Sequence, residues 1–304
     1  MSFSGNDVSN VQLFQMHVSL LESFFGREWL EAGIRRRSQH PAIKNLLLAH
    51  AMCQNNGRIP TSPAFLMSVM PDVVRLLFDG IVLSKASGGN TSSFTLGDFA
   101  NYGDDEVRKR IDAIKKISNE FNSLMTELAY GAWHQMRGHK VTAYDAKCLP
   151  DFRVDHHKLP LPIITDCKRI GQETLPSRYK RVVAKTNKQI KALGIDGYGL
   201  ALLDVSEKTR TVATQLNDNA VPQAVEEAVD CIQRELVHCH KSVSEVVIQW
   251  DECAVLGQDK PGGWMKALVT MRRRHRIIPH PNARFPLKER LPIYPEFTTM
   301  LGVK

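Results

Sequence analysis

Hydrophobic periodicity changes near residue 138, and this change constrains the fold more than any other feature of the sequence. From about residue 105 to 137, apolar residues recur every three or four positions, which predicts one long helix with Gly138 as its C-cap. Beyond it, short apolar segments with strand character alternate with helical segments. Strands are expected at HKVTAY, DFRV, PIITDCKRI, GYGLALLDV, SEVVIQW and WMKALVTMRR, and helices at about 175–193 and 221–241. The alternation predicts an α/β fold with a central mixed sheet flanked by helices.

The first hundred residues are predicted to be helical, because period-2 alternation is missing from them. Helices are expected in VQLFQMHVSLLESFFGREWLEAGI, AIKNLLLAHAMCQ and AFLMSVMPDVVRLLFDGIVL. The segment SKASGGNTSSF, residues 84–94, has the composition of a flexible linker. A chain of 304 residues favours two moderate domains. We therefore expect a helical N-terminal domain over residues 1–100 and an α/β domain over residues 101–304.

The chain is basic, with 40 Lys and Arg residues against 32 Asp and Glu residues. This excess favours an anionic partner such as nucleic acid or an anionic membrane surface. No apolar run reaches the roughly 18 to 20 residues of a membrane span. The start, MSFSGNDVSNVQLF, lacks the basic and apolar regions of a signal peptide. A cytoplasmic protein with no membrane partner is expected.

No metal, disulfide or catalytic site is assigned to the cysteines and histidines of the sequence. The six cysteines contain no CxxC pair, which argues against a zinc ribbon and a dense disulfide framework. Cys231, Cys239 and His240, with His238 between them, would lie on diverging faces of the helix predicted at about 221–241, so no metal site is assigned there. Isolated histidines are more often structural or exposed than catalytic. Four are therefore left without a role: His134, His139, His156 and His157.

The stretch PDFRVDHHKLPLPIITDCKRI, residues 150–170, has the pattern of a hairpin with chemical groups on one face. Folded symmetrically about Lys158 and Leu159, it sets Asp151 opposite Asp166, and directly opposed residues have Cβ atoms about 4.5–5.5 Å apart. Strand alternation puts Lys168 on the same face as Asp166. Carboxylates that close repel unless a divalent ion lies between them, and hard oxygen ligands suit Mg²⁺ or Mn²⁺. An exposed hairpin with charged faces is the alternative.

At these residues the sequence resembles the PD-(D/E)xK nuclease superfamily, which has the restriction-endonuclease-like fold. Pro150 and Asp151 match the PD element, and Asp166, Cys167 and Lys168 match the (D/E)xK element on the next strand. The resemblance covers about residues 105–250 and does not reach the N-terminal helices. It implies a metal-dependent phosphodiester hydrolase, in which the ion activates water and neutralises developing charge.

The resemblance also implies a Glu on the helix before the first strand and often a Gln on the helix after the DxK strand. Glu127 fits the first position, with Glu120 as the alternative, and Gln189 fits the second. Lys168 would orient the attacking water or stabilise the transition state. The implied metal ligands are Glu127, Asp151 and Asp166, and the implied assisting residues are Lys168 and Gln189.

Residues 168–191 contain eight basic side chains and a single acid, Glu173. Beside a carboxylate site, such a segment is suited to hold a phosphate backbone; a solvated basic face is the alternative. The predicted nucleic-acid contacts are Arg169, Arg178, Lys180, Arg181, Lys185 and Lys188. The clusters RRRSQH, residues 35–40, and MRRRHR, residues 271–276, either follow the same backbone or are plain surface.

Together these features predict an Mg²⁺- or Mn²⁺-dependent nuclease that acts on nucleic acid, with DNA as the expected substrate because the superfamily acts mostly on DNA. Two alternatives stay open. One is a nuclease-fold module that binds nucleic acid or supports assembly without chemistry. The other is a regulatory adaptor that acts through the N-terminal helices, which could also bind a protein partner or a second copy of the chain.

Overall fold

The computed structural model describes residues 24–55, 104–116, 120–144, 148–171, 176–209, 220–237, 239–257, 267–287 and 297–302. Shorter described pieces lie within residues 15–22, 58–79, 212–216 and 263–265. The linker predicted at 84–94 and the domain boundary expected near residue 100 fall outside the described residues. So does most of the first predicted helix before residue 24.

Helices and strands alternate along the second half of the chain as the periodicity predicts. The helices are α1 (Arg27–Arg35), α2 (Pro41–Gln54), α3 (Asp104–Lys116), α4 (Phe121–Met136), α5 (Pro176–Leu193) and α6 (Gln223–Leu236). The strands are β1 (Ile59–Pro60), β2 (Lys140–Ala143), β3 (Phe152–Asp155), β4 (Ile163–Arg169), β5 (Tyr198–Asp204), β6 (Val212–Ala213), β7 (Glu245–Gly257), β8 (Trp264–Met265), β9 (Ala267–Pro279) and β10 (Phe297–Gly302).

The prediction of a single helix at about 105–137 is wrong. The segment forms two helices, α3 and α4, that pack on each other. The residue before α4, Glu120, is a turn residue with φ −97° and ψ −4°. Ile114 in α3 and Phe121 in α4 are both buried and lie seven positions apart, which is about two helical turns. The apolar period therefore continues across the break, and the pattern alone does not reveal it.

The end of α4 is a Schellman turn, which confirms the role predicted for Gly138. Gly138 has φ 79°, a left-handed conformation that glycine adopts without strain. Its N–H donates to the Gln135 carbonyl at 2.9 Å, and the His139 N–H donates to the His134 carbonyl at 3.2 Å. These two bonds are the pair that defines the motif. They turn the chain from α4 directly into β2.

The main sheet is mixed and has the strand order β10-β9-β7-β5-β4-β3-β2, with β6 beside β7. The pairs β2/β3 and β3/β4 are antiparallel, whereas β4/β5 and β5/β7 are parallel and are connected through α5 and α6. On the other side, β7, β9 and β10 form an antiparallel meander. This arrangement confirms an α/β fold with a central mixed sheet flanked by helices. β1, β6 and β10 were not predicted, and the strand predicted at WMKALVTMRR corresponds to two strands, β8, which pairs with β1, and β9.

The two faces of the sheet carry separate hydrophobic clusters. Leu200 and Leu202 of β5 pack in one cluster, whereas Ala201 and Leu203 pack in the other. The first cluster contains α4 together with residues of α1 and α2. The second contains the inner faces of α5 and α6. Helices therefore cover both faces, which explains why the central strands are apolar throughout.

A buried ion-pair network joins the helical residues near position 75 to the sheet. Arg75 pairs with Asp204 at the end of β5, donates to Thr126 of α4 at 2.9 Å, and lies 3.3 Å from Asp251 of β7. Arg273 of β9 donates to both carboxylate oxygens of Asp251, at 2.7 and 3.0 Å. Removing one charged partner from such a network strongly destabilises the fold, because it leaves a buried charge unpaired.

The same strand pair explains the MRRRHR cluster. Arg272 and Arg274 each pair with Glu252 on β7, at 2.6 and 3.0 Å, while Arg273 pairs with Asp251. Antiparallel pairing of β7 with β9 places these acids and bases side by side. The central part of this cluster therefore holds the sheet together.

Within the part of the chain that the structure describes, no helix combines the length and apolar character needed to cross a bilayer.

Candidate functional site

The register of the β3/β4 hairpin is the one that the sequence predicts. Phe152 pairs with Thr165, and Val154 pairs with Ile163. The same register continued by one residue would set Asp151 opposite Asp166. The Asp151 N–H instead donates to the Thr165 carbonyl at 3.0 Å, so the hydrogen bonding is offset by one residue there, as at a β-bulge. Asp151 thus lies just before β3, beside Thr165 and Asp166 of β4.

Lys168 brings the two aspartates together. Its ammonium nitrogen forms an ion pair with Asp166 Oδ1 and lies 3.5 Å from Asp151 Oδ2. Asp151 Oδ2 also accepts a hydrogen bond from the Cys167 backbone N–H at 2.6 Å. Asp166 and Lys168 share one face of β4, while Cys167 packs in the core on the other face. The structure therefore unites Asp151, Asp166 and Lys168, as the hairpin pattern predicts.

Asp166 is completely buried, and α5 supplies the group that fixes it. Thr186 donates its hydroxyl to Asp166 Oδ2 at 2.5 Å, and Thr186 is itself fully buried. An ion pair on one carboxylate oxygen and a hydroxyl on the other compensate the loss of water around the charge. Together they leave Asp166 little rotational freedom. Thr186 was not singled out in the sequence, because a threonine in a helix carries no distinguishing signal.

Glu127 of α4 completes an acidic cluster with the two aspartates. Burial and the negative charges of Asp151 and Asp166 raise its pKa to about 8, although Lys168 and Arg110 act in the opposite direction. The Arg110 Nε lies 3.8 Å from Glu127 Oε2. Glu127 is thus held in the site with less cationic compensation than its burial requires.

Arg110, on α3, is a second residue that the sequence did not reveal. Its Nη2 donates to the Tyr144 carbonyl at 2.9 Å and to the Asp151 carbonyl at 3.4 Å. Its guanidinium also lies over the Phe152 ring, 5.3 Å from the centroid. Arg110 therefore ties Glu127 to the backbone at Asp151.

The pKa values of Asp151 and Lys168 are both raised, which favours the neutral form of Asp151 and the charged form of Lys168. Burial and the nearby Asp166 carboxylate raise the pKa of Asp151 to about 6, against the effects of Lys168, the Cys167 N–H and Arg110. Burial disfavours the charged form of Lys168, but the carboxylates of Asp151 and Asp166 outweigh it and hold the pKa of Lys168 above its usual value. Lys168 is therefore positively charged at neutral pH. Its charge offsets only part of the cost of burying the acids around it.

The donor set suits a hard divalent cation. The cluster contains three carboxyl groups and two cationic side chains, and burial, together with repulsion between the acids, raises the pKa values of Glu127 and Asp151; a bound divalent ion would favour the charged forms of these acids. Asp151 and Asp166 are the residues placed to hold Mg²⁺ or Mn²⁺ through oxygen. Among the described side chains, the three carboxylates do not form a group whose ligand atoms all lie within 4.8 Å of one another.

Gln189 lies on the same face of α5 as Thr186, three residues later. Its amide nitrogen donates to the Leu149 carbonyl at 2.6 Å, two residues before Asp151. The contact seen here is thus with the backbone that leads into the site. One face of α5 consequently fixes both aspartates, with Thr186 on the carboxylate of Asp166 and Gln189 on the chain that carries Asp151.

The opposite face of α5 is basic and exposed. Its predicted nucleic-acid contacts all lie in solvent: Arg178, Lys180, Arg181, Lys185 and Lys188. Lys180 also pairs with Glu235 at 3.3 Å. Arg169 does not belong to this surface, because its side chain is only 7% exposed and donates through Nε and Nη2 to Glu207, at 3.1 and 2.9 Å. As the last residue of β4, it points into a packed region where its charge needs an internal partner.

The Cys231–His240 region also differs from expectation. Helix α6 ends at Leu236, and Cys239 and His240 lie beyond it. Helical geometry therefore does not direct their side chains apart. Glu235, Cys239 and His240 have ligand atoms within 4.8 Å of one another, whereas Cys231 is buried in the core under α6. The prediction that Cys239 and His240 lie on one helix with Cys231 was therefore wrong. His238 lies outside the described residues.

Comparison with known proteins adds no relative. No protein-family model matches the sequence, and searches of curated proteins and of solved structures also give no match.

Proposed function

We propose that this protein is a divalent-metal-dependent nuclease that hydrolyses phosphodiester bonds, with a catalytic domain of the restriction-endonuclease-like type. The observation that carries the proposal is the ion-paired set on the β3/β4 hairpin. Lys168 contacts both Asp151 and Asp166, which the β3/β4 hairpin brings together. A fully buried Asp paired with a partly buried Lys on one strand face needs a chemical reason.

The order of elements supports the same proposal. A helix with Glu127 precedes β2, the hairpin carries Asp151 and the DxK set, α5 follows with Gln189, and β5 lies parallel to β4. This is the order that the resemblance implies. The restriction-endonuclease-like assignment of this unit and a separate helical domain over residues 1–100 are parts of the proposal.

In the proposed mechanism, Asp151 and Asp166 would hold Mg²⁺ or Mn²⁺, with Glu127 as the third acid of the cluster. The bound ion would lower the pKa of a water molecule and neutralise charge on the phosphodiester. Thr186 and the Cys167 N–H fix the two carboxylates before substrate arrives, which reduces the reorganisation needed during the reaction.

Lys168 acts as a fixed positive charge in this mechanism. Its pKa is held above the usual value by two carboxylates, so it does not accept a proton at neutral pH. It stabilises the negative charge that develops on the phosphate oxygens or orients the attacking water by donating a hydrogen bond. A neutral side chain in its place would remove this charge and also leave Asp151 and Asp166 to repel each other.

The proposed substrate is nucleic acid, with DNA as the first candidate. The exposed basic face of α5 offers five cationic side chains on the helix that also supports the catalytic acids. Such a face binds a phosphate backbone by releasing counterions, without reading sequence. Partner binding through the N-terminal helices and a cytoplasmic location belong to the proposal as well.

One observation favours a second candidate function. The three carboxylates do not close into one tight ligand group among the described residues, and Lys168 is already paired with Asp166. A nuclease fold that binds nucleic acid or supports assembly without cleaving it would retain this arrangement as an internal salt bridge. Metal-dependent cleavage separates the two functions.

The test is a cleavage assay on purified protein with Mg²⁺ or Mn²⁺, using labelled single-stranded, double-stranded and branched DNA and single-stranded RNA. Cleavage that EDTA abolishes and that Asp166→Asn and Lys168→Met both remove supports the proposal. The matched control is Lys158→Met, an exposed lysine on the same hairpin. Intact substrates with tight binding would favour the non-catalytic function, and full activity in Lys168→Met would refute the site assignment.

A further inference from the structure

Three histidines meet at the end of the hairpin away from Asp151. β2 and β3 pair with Lys140 opposite Asp155 and Val141 opposite Val154. The same register continued by one residue sets His139 opposite His156, so that their side chains lie on one face. The Schellman turn after α4 fixes the backbone at His139. His157 follows directly in the turn between β3 and β4. Two structured elements therefore present histidines to each other.

The ring nitrogens of these histidines are close enough to share one ion. The Nδ1 atoms of His139 and His157 lie 3.3 Å apart, and one ligand atom from each of His139, His156 and His157 falls within 4.8 Å of the others. Zinc–nitrogen bonds are about 2.0–2.1 Å long, so two ligands at a tetrahedral zinc lie about 3.3 Å from each other. The His139–His157 distance already has this value.

The surroundings combine two buried ligands with one exposed ligand. His139 and His156 are 5% and 6% exposed, whereas His157 lies at the surface. Burial lowers the pKa of His139 and His156, and the charges of Arg137 and Lys158 act in the same direction. Neutral imidazole is the form that binds metal. The two basic residues weaken cation binding, whereas the exposure of His157 gives an ion access to the cluster from solvent.

We propose that His139, His156 and His157 form a binding site for a zinc-class divalent ion, separate from the carboxylate cluster and independent of the nuclease activity. Three imidazoles select Zn²⁺, Co²⁺, Ni²⁺ or Cu²⁺ over Mg²⁺, because nitrogen ligands suit these metals and oxygen ligands suit magnesium. The ion ties the start of β2 to the turn that follows β3, and so it fixes the hairpin that carries the two aspartates.

Binding exchanges the hydrogen bond between His139 and His157 for metal–nitrogen bonds. The proton between their Nδ1 atoms moves to the Nε2 of the ring that carries it, which frees both Nδ1 lone pairs.

The test is zinc titration of the full chain, after EDTA treatment and dialysis, by competition with a chromophoric chelator. One Zn²⁺ per chain is expected at this site, and X-ray absorption should show imidazole nitrogens at about 2.0–2.1 Å. His157→Ala and His139→Ala should each weaken zinc binding at least about ten-fold. His157 is exposed, so its variant tests the site without a large packing change. Circular dichroism verifies that both variants are folded.

Two control variants separate this site from the other candidates. His240→Ala alters the Glu235–Cys239–His240 cluster, and Asp166→Asn alters the carboxylate cluster; neither should change the zinc affinity assigned to the histidines. Zinc binding that is unchanged in folded His157→Ala and His139→Ala overturns the proposal. So does a wild-type chain that binds no zinc, or a loss of zinc that follows His240→Ala or Asp166→Asn instead. None of these outcomes depends on whether the protein cleaves nucleic acid.

Discussion

Replacing Glu127 by Gln should stabilise the protein, and the stabilisation should grow as the pH rises. The pKa of Glu127 is about 8 in the folded chain, against an ordinary value of 4.5. A raised folded-state pKa means that the folded protein holds the proton more tightly than the unfolded chain does. Stability is therefore fully present below pH 4.5 and is lost as the pH rises toward 8. Glutamine does not titrate, so the variant escapes this loss.

The size of the effect follows from the shift. Each pKa unit corresponds to about 1.4 kcal/mol, so the full shift sets a ceiling of about 5 kcal/mol. Between pH 5 and pH 8, the difference in unfolding free energy between Glu127→Gln and the parent should grow by about 3 kcal/mol. The charge of Arg110, 3.8 Å from Glu127, already contributes to this pKa, so it is not counted separately.

Urea unfolding at pH 5, 6.5 and 8, without divalent ions, measures this difference. Glu120→Gln is the matched control, since Glu120 is an exposed residue at the start of the same helix. Its difference from the parent should stay within about 0.5 kcal/mol across the range, as is usual for surface substitutions. A difference for Glu127→Gln that is equally flat would refute the account of Glu127 as a buried, undercompensated acid.

Other variants test the remaining contacts. Thr186→Val should reduce Mn²⁺ affinity or cleavage by about 10- to 100-fold, because it removes the hydroxyl that holds Asp166, and Thr186→Ser should restore most of the loss; calorimetry with Mn²⁺ checks this. Lys185→Gln with Lys188→Gln should lower the salt dependence of DNA binding by about 0.9 per lost phosphate contact, measured by fluorescence anisotropy, whereas unchanged slopes would remove α5 from the interface. Arg75→Leu should cost about 3–5 kcal/mol in urea unfolding, because it leaves buried acids unpaired.

The hairpin could be predicted from the sequence because its geometry is local. Strand alternation and symmetry about the turn were sufficient to predict the hairpin register and to place Asp166 and Lys168 on the same face. The α/β alternation after Gly138 had the same advantage, since each element carries its own periodic pattern. The sequence therefore predicted the centre of the candidate site and the type of sheet that holds it.

The contacts that the sequence missed come from elements far apart along the chain. Thr186 reaches Asp166 across 20 residues, and Arg110 reaches the Asp151 carbonyl across 41. Both are ordinary helical residues, and their partners depend on how α5 and α3 dock. Arg169 was misassigned for a related reason, because its burial against Glu207 follows from tertiary packing and not from the surrounding basic pattern.

Anomalous diffraction from crystals soaked in Mn²⁺ would show whether Asp151 and Asp166 bind a divalent ion, since manganese scatters anomalously and takes the same oxygen ligands as Mg²⁺. We expect a peak bound by carboxylate oxygens of both Asp151 and Asp166, at about 2.0–2.3 Å, with Lys168 displaced from between them. Asp166→Asn crystals should lose that peak. A parent crystal with manganese elsewhere, or with the Asp166–Lys168 ion pair intact and no peak beside it, would contradict the proposed catalytic centre.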